Sequence, residues 1–302
     1  MKLFISKFII FSFAFIIFIL LTNLLIHLIM FDNSIFRLNK DVHILILGDS
    51  STECAINDNN ISHAKNLSHS ADSYFYTYAK LRQIITLNKI DTILLSFSPH
   101  NISLNTAEHW LFDNEIIKSK LSLYSPILDK SDLILVFNEN PIYTIISLLN
   151  TPVKYFIITL KLFKHNYRIL DNFGKYYYMD KDLPIIDKSN YNKTNIFNVD
   201  SVETFYLEKI IDECKKYNIN LIFFISPKHK IFVDSNKPQI AAFFNYYKQH
   251  YHKIPLLNFL NLNLPDSCYA DVSHLNYKGA NIVSKIIDNE GIPKLLRTYN
   301  NY

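Results

Sequence analysis

The sequence predicts an α/β domain, a three-layer parallel sheet flanked by helices, preceded by one transmembrane helix. Three observations predict it. Phe8 to Phe31 is a run of 24 residues without Asp, Glu, Lys or Arg. Short, wholly apolar runs then recur, several of them ending at Gly or Pro. Segments with helical spacing separate those runs, and alternating strands and helices imply a parallel sheet covered on both faces.

The N-terminal run comes first. A helix needs about 20 apolar residues to span a bilayer. The only polar residues in this run are Ser12, Thr22, Asn23 and His27, fewer than the polar face of a core helix would need. A cleaved signal peptide has an apolar region of about 7–15 residues and ends in a small-x-small site. This run is longer, and neither Ala-x-Ala nor a lipobox-like Cys follows it. The expectation is therefore an uncleaved signal anchor. Lys2 and Lys7 precede it and Asp32 follows, which favours a cytoplasmic N-terminus. The chain then divides into residues 1–41 (cytoplasmic tail, anchor and juxtamembrane stretch) and an α/β domain over 42–302 held outside the cell membrane by a single pass.

Within that domain, His43 to Leu47 is a continuous apolar run closed by Gly48, which reads as a buried parallel strand and a tight turn. Asp72 to Asn88 has helical spacing, with Tyr74, Phe75, Tyr78, Leu81 and Ile85 on one face. Thr92 to Phe97 is a second buried strand, stopped by Pro99. Asp200-Ser201-Val202-Glu203 resembles a capping box and opens a helix to about Tyr217. Asn220 to Ile225 is a strand closed by Pro227, Lys237 to Tyr251 a helix, Pro255 to Leu260 a short strand, and Tyr277 to Asp288 the final helix.

Residues 102–199 break this rhythm. About a hundred residues between two sheet strands is too long for an ordinary loop. The stretch reads as a helical insertion, either a lid over the site or a structural appendage. Pro152, Lys154 and Lys161 interrupt its apolar runs and argue against a second membrane pass.

Two clusters carry chemistry. Gly48-Asp49-Ser50-Ser51-Thr52 follows the first strand, and in open α/β sheets ligands bind beyond the carboxyl ends of the strands. A Ser placed there sits near a helix N-terminus, where its backbone N–H can face a developing oxyanion; Asp and Ser are also ordinary helix caps. The second cluster is Asp271-Val272-Ser273-His274-Leu275-Asn276, just before the last predicted helix. A Ser hydroxyl is a weak nucleophile until a base takes its proton, His suits that role, and a carboxylate on its other ring nitrogen fixes the tautomer. Lys228 and His229 end the Asn220–Ile225 strand on the same predicted rim, and His100 lies in the segment after Phe97; each is either a substrate contact or an ordinary loop residue.

Together the two clusters resemble the SGNH/GDSL hydrolase family, in which GDS opens the domain after the first strand and DxxH closes it near the C-terminus. The resemblance covers roughly residues 42–290, and its anchored arrangement looks like extracytoplasmic members that handle acyl groups on surface polymers. It implies Ser50 as nucleophile, His274 as base and Asp271 as its partner. It further implies an oxyanion hole built from the Ser50 backbone, a Gly and an Asn. The segment matching the Gly is Asn66 to Asp72, which has none. Ala71 is the match there, and a positive φ would strain it. In Ser98-Pro99-His100-Asn101 the match is Asn101, without its usual Gly.

The implied activity is that of a serine esterase or O-acyltransferase acting on acyl esters of cell-envelope glycans or related surface polymers. It requires no metal or organic cofactor. The implied partners are an acylated carbohydrate or other ester, the membrane through the N-terminal helix, and a membrane protein. The absent glycines leave a catalytically inactive member that binds glycan or a membrane partner as the alternative. If both motifs were coincidental, Ser50 and His274 would lie far apart in the fold.

The bulk numbers exclude other classes. With 49% hydrophobic and 19% charged residues the chain is not disordered. A net charge of +4 without a dense Lys/Arg cluster gives no nucleic-acid footprint. The three cysteines, Cys54, Cys214 and Cys268, form no zinc-binding pattern; Cys54 and Cys268 each lie close in sequence to one of the two clusters, so the fold could bring them together.

Overall fold

A computed structural model describes residues 2–31, 35–104, 109–164, 167–184 and 197–299. Asp32 and parts of the expected insertion (105–108, 165–166 and 185–196) lie outside the described residues. In chain order the main elements are α1 (Lys2–Phe31), β1 (Ile44–Leu47), α2 (Ser50–Ala55), β2 (Ala64–Asn66), α3 (Tyr74–Ile85), β3 (Thr92–Ser96) and α4 (Pro99–Ile102). They continue with α5 (Lys130–Glu139), α6 (Pro141–Lys161), α7 (Ser201–Lys216), β4 (Asn220–Ile225), α8 (Lys230–Ser235), α9 (Lys237–His250), β5 (Leu256–Asn258), α10 (Tyr277–Glu290) and α11 (Ile292–Tyr299).

The chain forms two compact units. One comprises Leu38–Trp110 and Phe173–Tyr302, the other Met1–Arg37 and Leu111–Asn172. The expected 102–199 insertion is thus narrower, and its helical part clusters with the N-terminal helix.

The first unit holds a five-stranded sheet in the order β2-β1-β3-β4-β5, parallel throughout. This is the doubly wound order whose switch point lies between β1 and β3. The strands read as unbroken apolar runs because helices cover both faces: Leu45, Ile46, Ile93, Leu94, Phe223 and Phe224 are fully buried. Phe97, just past β3, stacks on Phe223 with ring centroids 4.1 Å apart.

Four details depart from the sequence reading. Strand β2 was not expected, since three residues at a sheet edge carry no periodic signal. Gly48 serves close packing rather than a positive-φ turn, because a Cβ there would lie 2.4 Å from the Ser96 Cβ on β3. The capping box of α7 is only half formed: Asp200 accepts from the Val202 and Glu203 N–H groups, while Glu203 turns away to the Tyr74 N–H. Finally, α10 is not the last helix, as α11 follows Gly291.

In the second unit α1 runs without interruption, and Phe4–Leu28 is long and apolar enough to cross a membrane. The two apolar runs expected on either side of Pro152 form one continuous 21-residue helix, α6, with that proline inside it. By length and composition α6 also qualifies as a span, against the expectation that Pro152, Lys154 and Lys161 would break it.

Candidate active site

The sheet's carboxyl edge gathers the candidate residues. Ser50 follows β1, Ser98 to Asn101 follow β3, Lys228 follows β4, and Asp271 and His274 lie in the loop between β5 and α10. Ser50 and His274 are 224 positions apart, yet the Ser50 Oγ lies 2.9 Å from the His274 Nε2. The His274 Nδ1 lies 2.9 Å from one Asp271 carboxylate oxygen and 3.1 Å from the other. A proton on Nδ1 facing the carboxylate leaves Nε2 free to accept from the hydroxyl.

Local geometry holds both halves in place. Asp49 caps α2, its Oδ1 accepting from the Ser51 N–H at 3.0 Å. Ser50 therefore begins the helix. Asp271 closes an Asx turn by accepting the N–H groups of Ser273 (2.7 Å) and His274 (2.9 Å). The main chain then pairs back, the Ala270 N–H donating to the His274 carbonyl at 3.0 Å. Asn276 caps α10 through the Lys278 and Gly279 N–H groups. Gly279 is required by the approach of α10 to this loop, since a Cβ there would lie 2.4 Å from the Cys268 carbonyl oxygen.

Partial burial pulls the Asp271 pKa upward, but the hydrogen bond and charge of His274 and the two backbone N–H groups outweigh it, so the carboxyl stays below its ordinary range.

Lys228 links the two clusters. Its Nζ donates to the Ser51 Oγ and to the Ser273 carbonyl, each at 2.7 Å. Burial lowers its pKa, against the opposing pull of Asp49 and Asp271. Ser50, His274, Lys228, His100 and Phe232 are among the residues that line a cavity of about 270 Å³. His229 points elsewhere: it caps α8 and lies 3.1 Å from the Asp266 carboxylate.

Neither Ala71 nor Asn101 lines that cavity. Ala71 has a φ of 61°, a left-handed conformation usually taken by Gly. It sits in a loop anchored from behind by the buried Lys80 ammonium, which donates to Asp72 (2.9 Å), to the Phe173 carbonyl (2.7 Å) and to the Leu67 carbonyl. Asn101 donates its side-chain amide to the Asp49 Oδ2 at 2.9 Å and accepts from the Ser98 N–H at 2.9 Å. It thereby braces the residue that caps α2.

The sequence carries no signal for the buried Lys80, for the Asn101–Asp49 bond or for the turn of Glu203 from its expected capping role to Tyr74. Glu203 is buried with its Oε2 on the Tyr74 N–H at 2.7 Å and, among the described residues, no hydrogen-bond partner on Oε1. Desolvation pushes its pKa up to about 8. The three thiols are free and buried, and burial raises that of Cys54 to about 12, which makes it inert at neutral pH.

A family model for an uncharacterised family matches residues 159–296, a segment that contains Asp271 and His274 but not Ser50. No curated protein matches the chain.

Proposed function

We propose that the chain is a membrane-anchored serine esterase or O-acyltransferase of the SGNH/GDSL type, acting on acyl esters of cell-envelope glycans or related surface polymers. The observation that carries this reading is the continuous Ser50–His274–Asp271 hydrogen-bonded relay, assembled from opposite ends of the domain. The sheet order and the position of Ser50 beside the β1/β3 switch point support it.

In the proposed reaction the Ser50 Oγ attacks the ester carbonyl while the His274 Nε2 takes the hydroxyl proton. The bond to the leaving alcohol breaks as His274 returns that proton to the departing oxygen, which leaves an acyl-Ser50 ester. Water or a carbohydrate hydroxyl then attacks the acyl group, and His274 relays its proton back to the Ser50 Oγ. Water yields an acid, and a sugar hydroxyl yields a new ester. Asp271 orients the imidazole and stabilises the imidazolium. The backbone N–H groups of Ser50 and Ala71 and the Asn101 amide are the oxyanion donors implied by the resemblance. The left-handed backbone at Ala71 supports its part.

A second reading, a catalytically inactive member that binds glycan or a membrane partner, is favoured by one observation. Asn101 donates to Asp49 and lies outside the lining of the Ser50 cavity. Release of p-nitrophenol from acyl esters, measured alongside acyl transfer to oligosaccharides, decides between the two. The enzyme reading expects Ser50→Ala to fall to the buffer rate; equal activity of variant and wild type would overturn it.

A further inference from the structure

Helix α6 has an inverted distribution of polarity. Its buried residues are Thr144, Ser147, Thr151, Tyr155 and Ile158. The polar members of that set are satisfied internally: Ser147 donates to the Ile117 carbonyl (3.1 Å), Tyr155 to the Leu123 carbonyl (2.7 Å), and Thr151 lies 3.1 Å from the Ser125 hydroxyl. The opposite face exposes Ile142, Ile145, Leu149, Val153, Phe156 and Leu160. A helix bathed in water buries its apolar stripe and exposes its polar one. This helix does the reverse, as suits a hydrocarbon solvent, where backbone and side-chain polar groups must be satisfied within the protein.

The packing of α6 on α1 points the same way. Pro152 has no N–H, so the carbonyl four residues earlier, that of Leu148, loses its helical donor. The Asn23 side chain of α1 donates to that carbonyl at 3.4 Å. Four residues on, His27 meets the Pro126 carbonyl at 2.6 Å. Two of the four polar residues of the α1 apolar run, Asn23 and His27, therefore face the packed part of this unit. An apolar groove of about 530 Å³ runs between the two, and its α1 wall extends only from Phe15 to His27. That is the half of α1 closer along the chain to the sheet unit.

Topology then limits how α6 can sit. The chain leaves the sheet unit after Trp110 and rejoins it at Phe173. A folded sheet unit lies on one side of a membrane, so the excursion between those points crosses an even number of times. Among the described residues of that excursion only α6 is long and apolar enough to cross. The ten residues of α5 extend only about 15 Å, half the hydrocarbon thickness. A single crossing by α6 would leave Phe173 on the wrong side. The two charged residues of α6, Lys154 and Lys161, both fall in its second half, where long side chains reach back toward the headgroups.

We infer that α6 is a re-entrant element, held within one leaflet without crossing it and packed on α1, with its exposed apolar face and the groove covered by lipid acyl chains. The inference rests on the membrane-anchor reading of α1. Variants with one added cysteine test it in the full-length protein, because the three native thiols are buried and wild type gives the labelling background. In phosphatidylcholine–phosphatidylglycerol vesicles, an environment-sensitive nitrobenzoxadiazole label on Leu149→Cys or Val153→Cys is expected to emit to the blue and to be quenched by doxyl groups on the acyl chains. Water-like emission quenched by iodide at both positions overturns the inference. A label on Phe13→Cys separates the two failures: immersed there but wet at 149 and 153, the anchor stands and the re-entrant element falls; wet at all three, the anchor reading falls with it. Shielding that depends on protein concentration and ignores doxyl lipid assigns the face to a second copy of the chain, again overturning the proposal. A membrane-impermeant maleimide should reach Glu139→Cys and Lys164→Cys, which flank α6, from the same side as Lys216→Cys on the sheet unit. Reaction of the two ends of the element from opposite sides contradicts it.

Discussion

Ser50 and His274 meet because each is held by a neighbour whose side chain is already committed: Asp49 caps α2 for one, and Asp271 closes an Asx turn for the other. Asp271→Asn retains much of that shape but can present an N–H to the ring, which selects the wrong tautomer. If the chain is an enzyme of the proposed type, turnover should fall by about 10⁴-fold, with little change in the circular dichroism spectrum. The depressed pKa of Asp271 means that its stabilising effect is present above the ordinary carboxylate range and is lost as pH falls through the folded-state value. Glu203 has the opposite sign. Its pKa rises from an ordinary 4.5 to about 8 in the fold, so its contribution is fully present below 4.5 and is lost as pH rises toward 8. Glu203→Gln removes that titration while keeping an acceptor for the Tyr74 N–H. Its stability relative to wild type, read from urea midpoints, should grow steadily between pH 5 and pH 8. A constant difference across that window would show that Glu203 is already ionised at pH 5.

At the scale of elements, the strands and longer helices of the sheet unit were legible because period and length speak directly. Buried parallel strands are unbroken apolar runs, and α3, α7, α9 and α10 carry helical spacing. What stayed hidden was decided by tertiary contact. The edge strand β2 is too short to show a period, and the Leu148 carbonyl that Pro152 leaves without a helical donor is met by Asn23, 125 positions from it. The reason for Gly48 was equally invisible: β1 and β3 approach so closely beside Ser96 that a methyl group has no room. Gly48→Ala should cost about 1–3 kcal/mol, the range for overpacking a filled site. It should also displace the start of α2, lowering serine reactivity beyond what the lost stability explains. Thermal unfolding measured beside residual activity of the folded fraction would show both effects, and wild-type values of each would refute the steric argument.

Across the whole molecule, the chain joins a parallel α/β unit to an apolar helical unit, and the two were not equally readable. The relay residues were identifiable because Gly48-Asp49-Ser50 and Asp271 to His274 are local patterns placed at the ends of elements with recognisable periods. The segments expected to supply oxyanion donors were harder to read. Ala71 is a residue type that conceals its left-handed backbone, and nothing in Ser98-Pro99-His100-Asn101 reveals that the amide turns to Asp49. Lys228 was placed on the right rim by strand position alone, although its bonds to Ser51 and Ser273 come from segments far away in sequence. Covalent labelling reads directly whether these contacts activate Ser50. Purified full-length protein, Ser50→Ala and His274→Ala are incubated with a fluorophosphonate probe, and the modified peptide is located by mass spectrometry. Phosphonylation of Ser50 is expected in wild type, none at that site in Ser50→Ala, and a sharp fall in His274→Ala. Absence of labelling in folded wild-type protein, under conditions where a control esterase reacts fully, would contradict it.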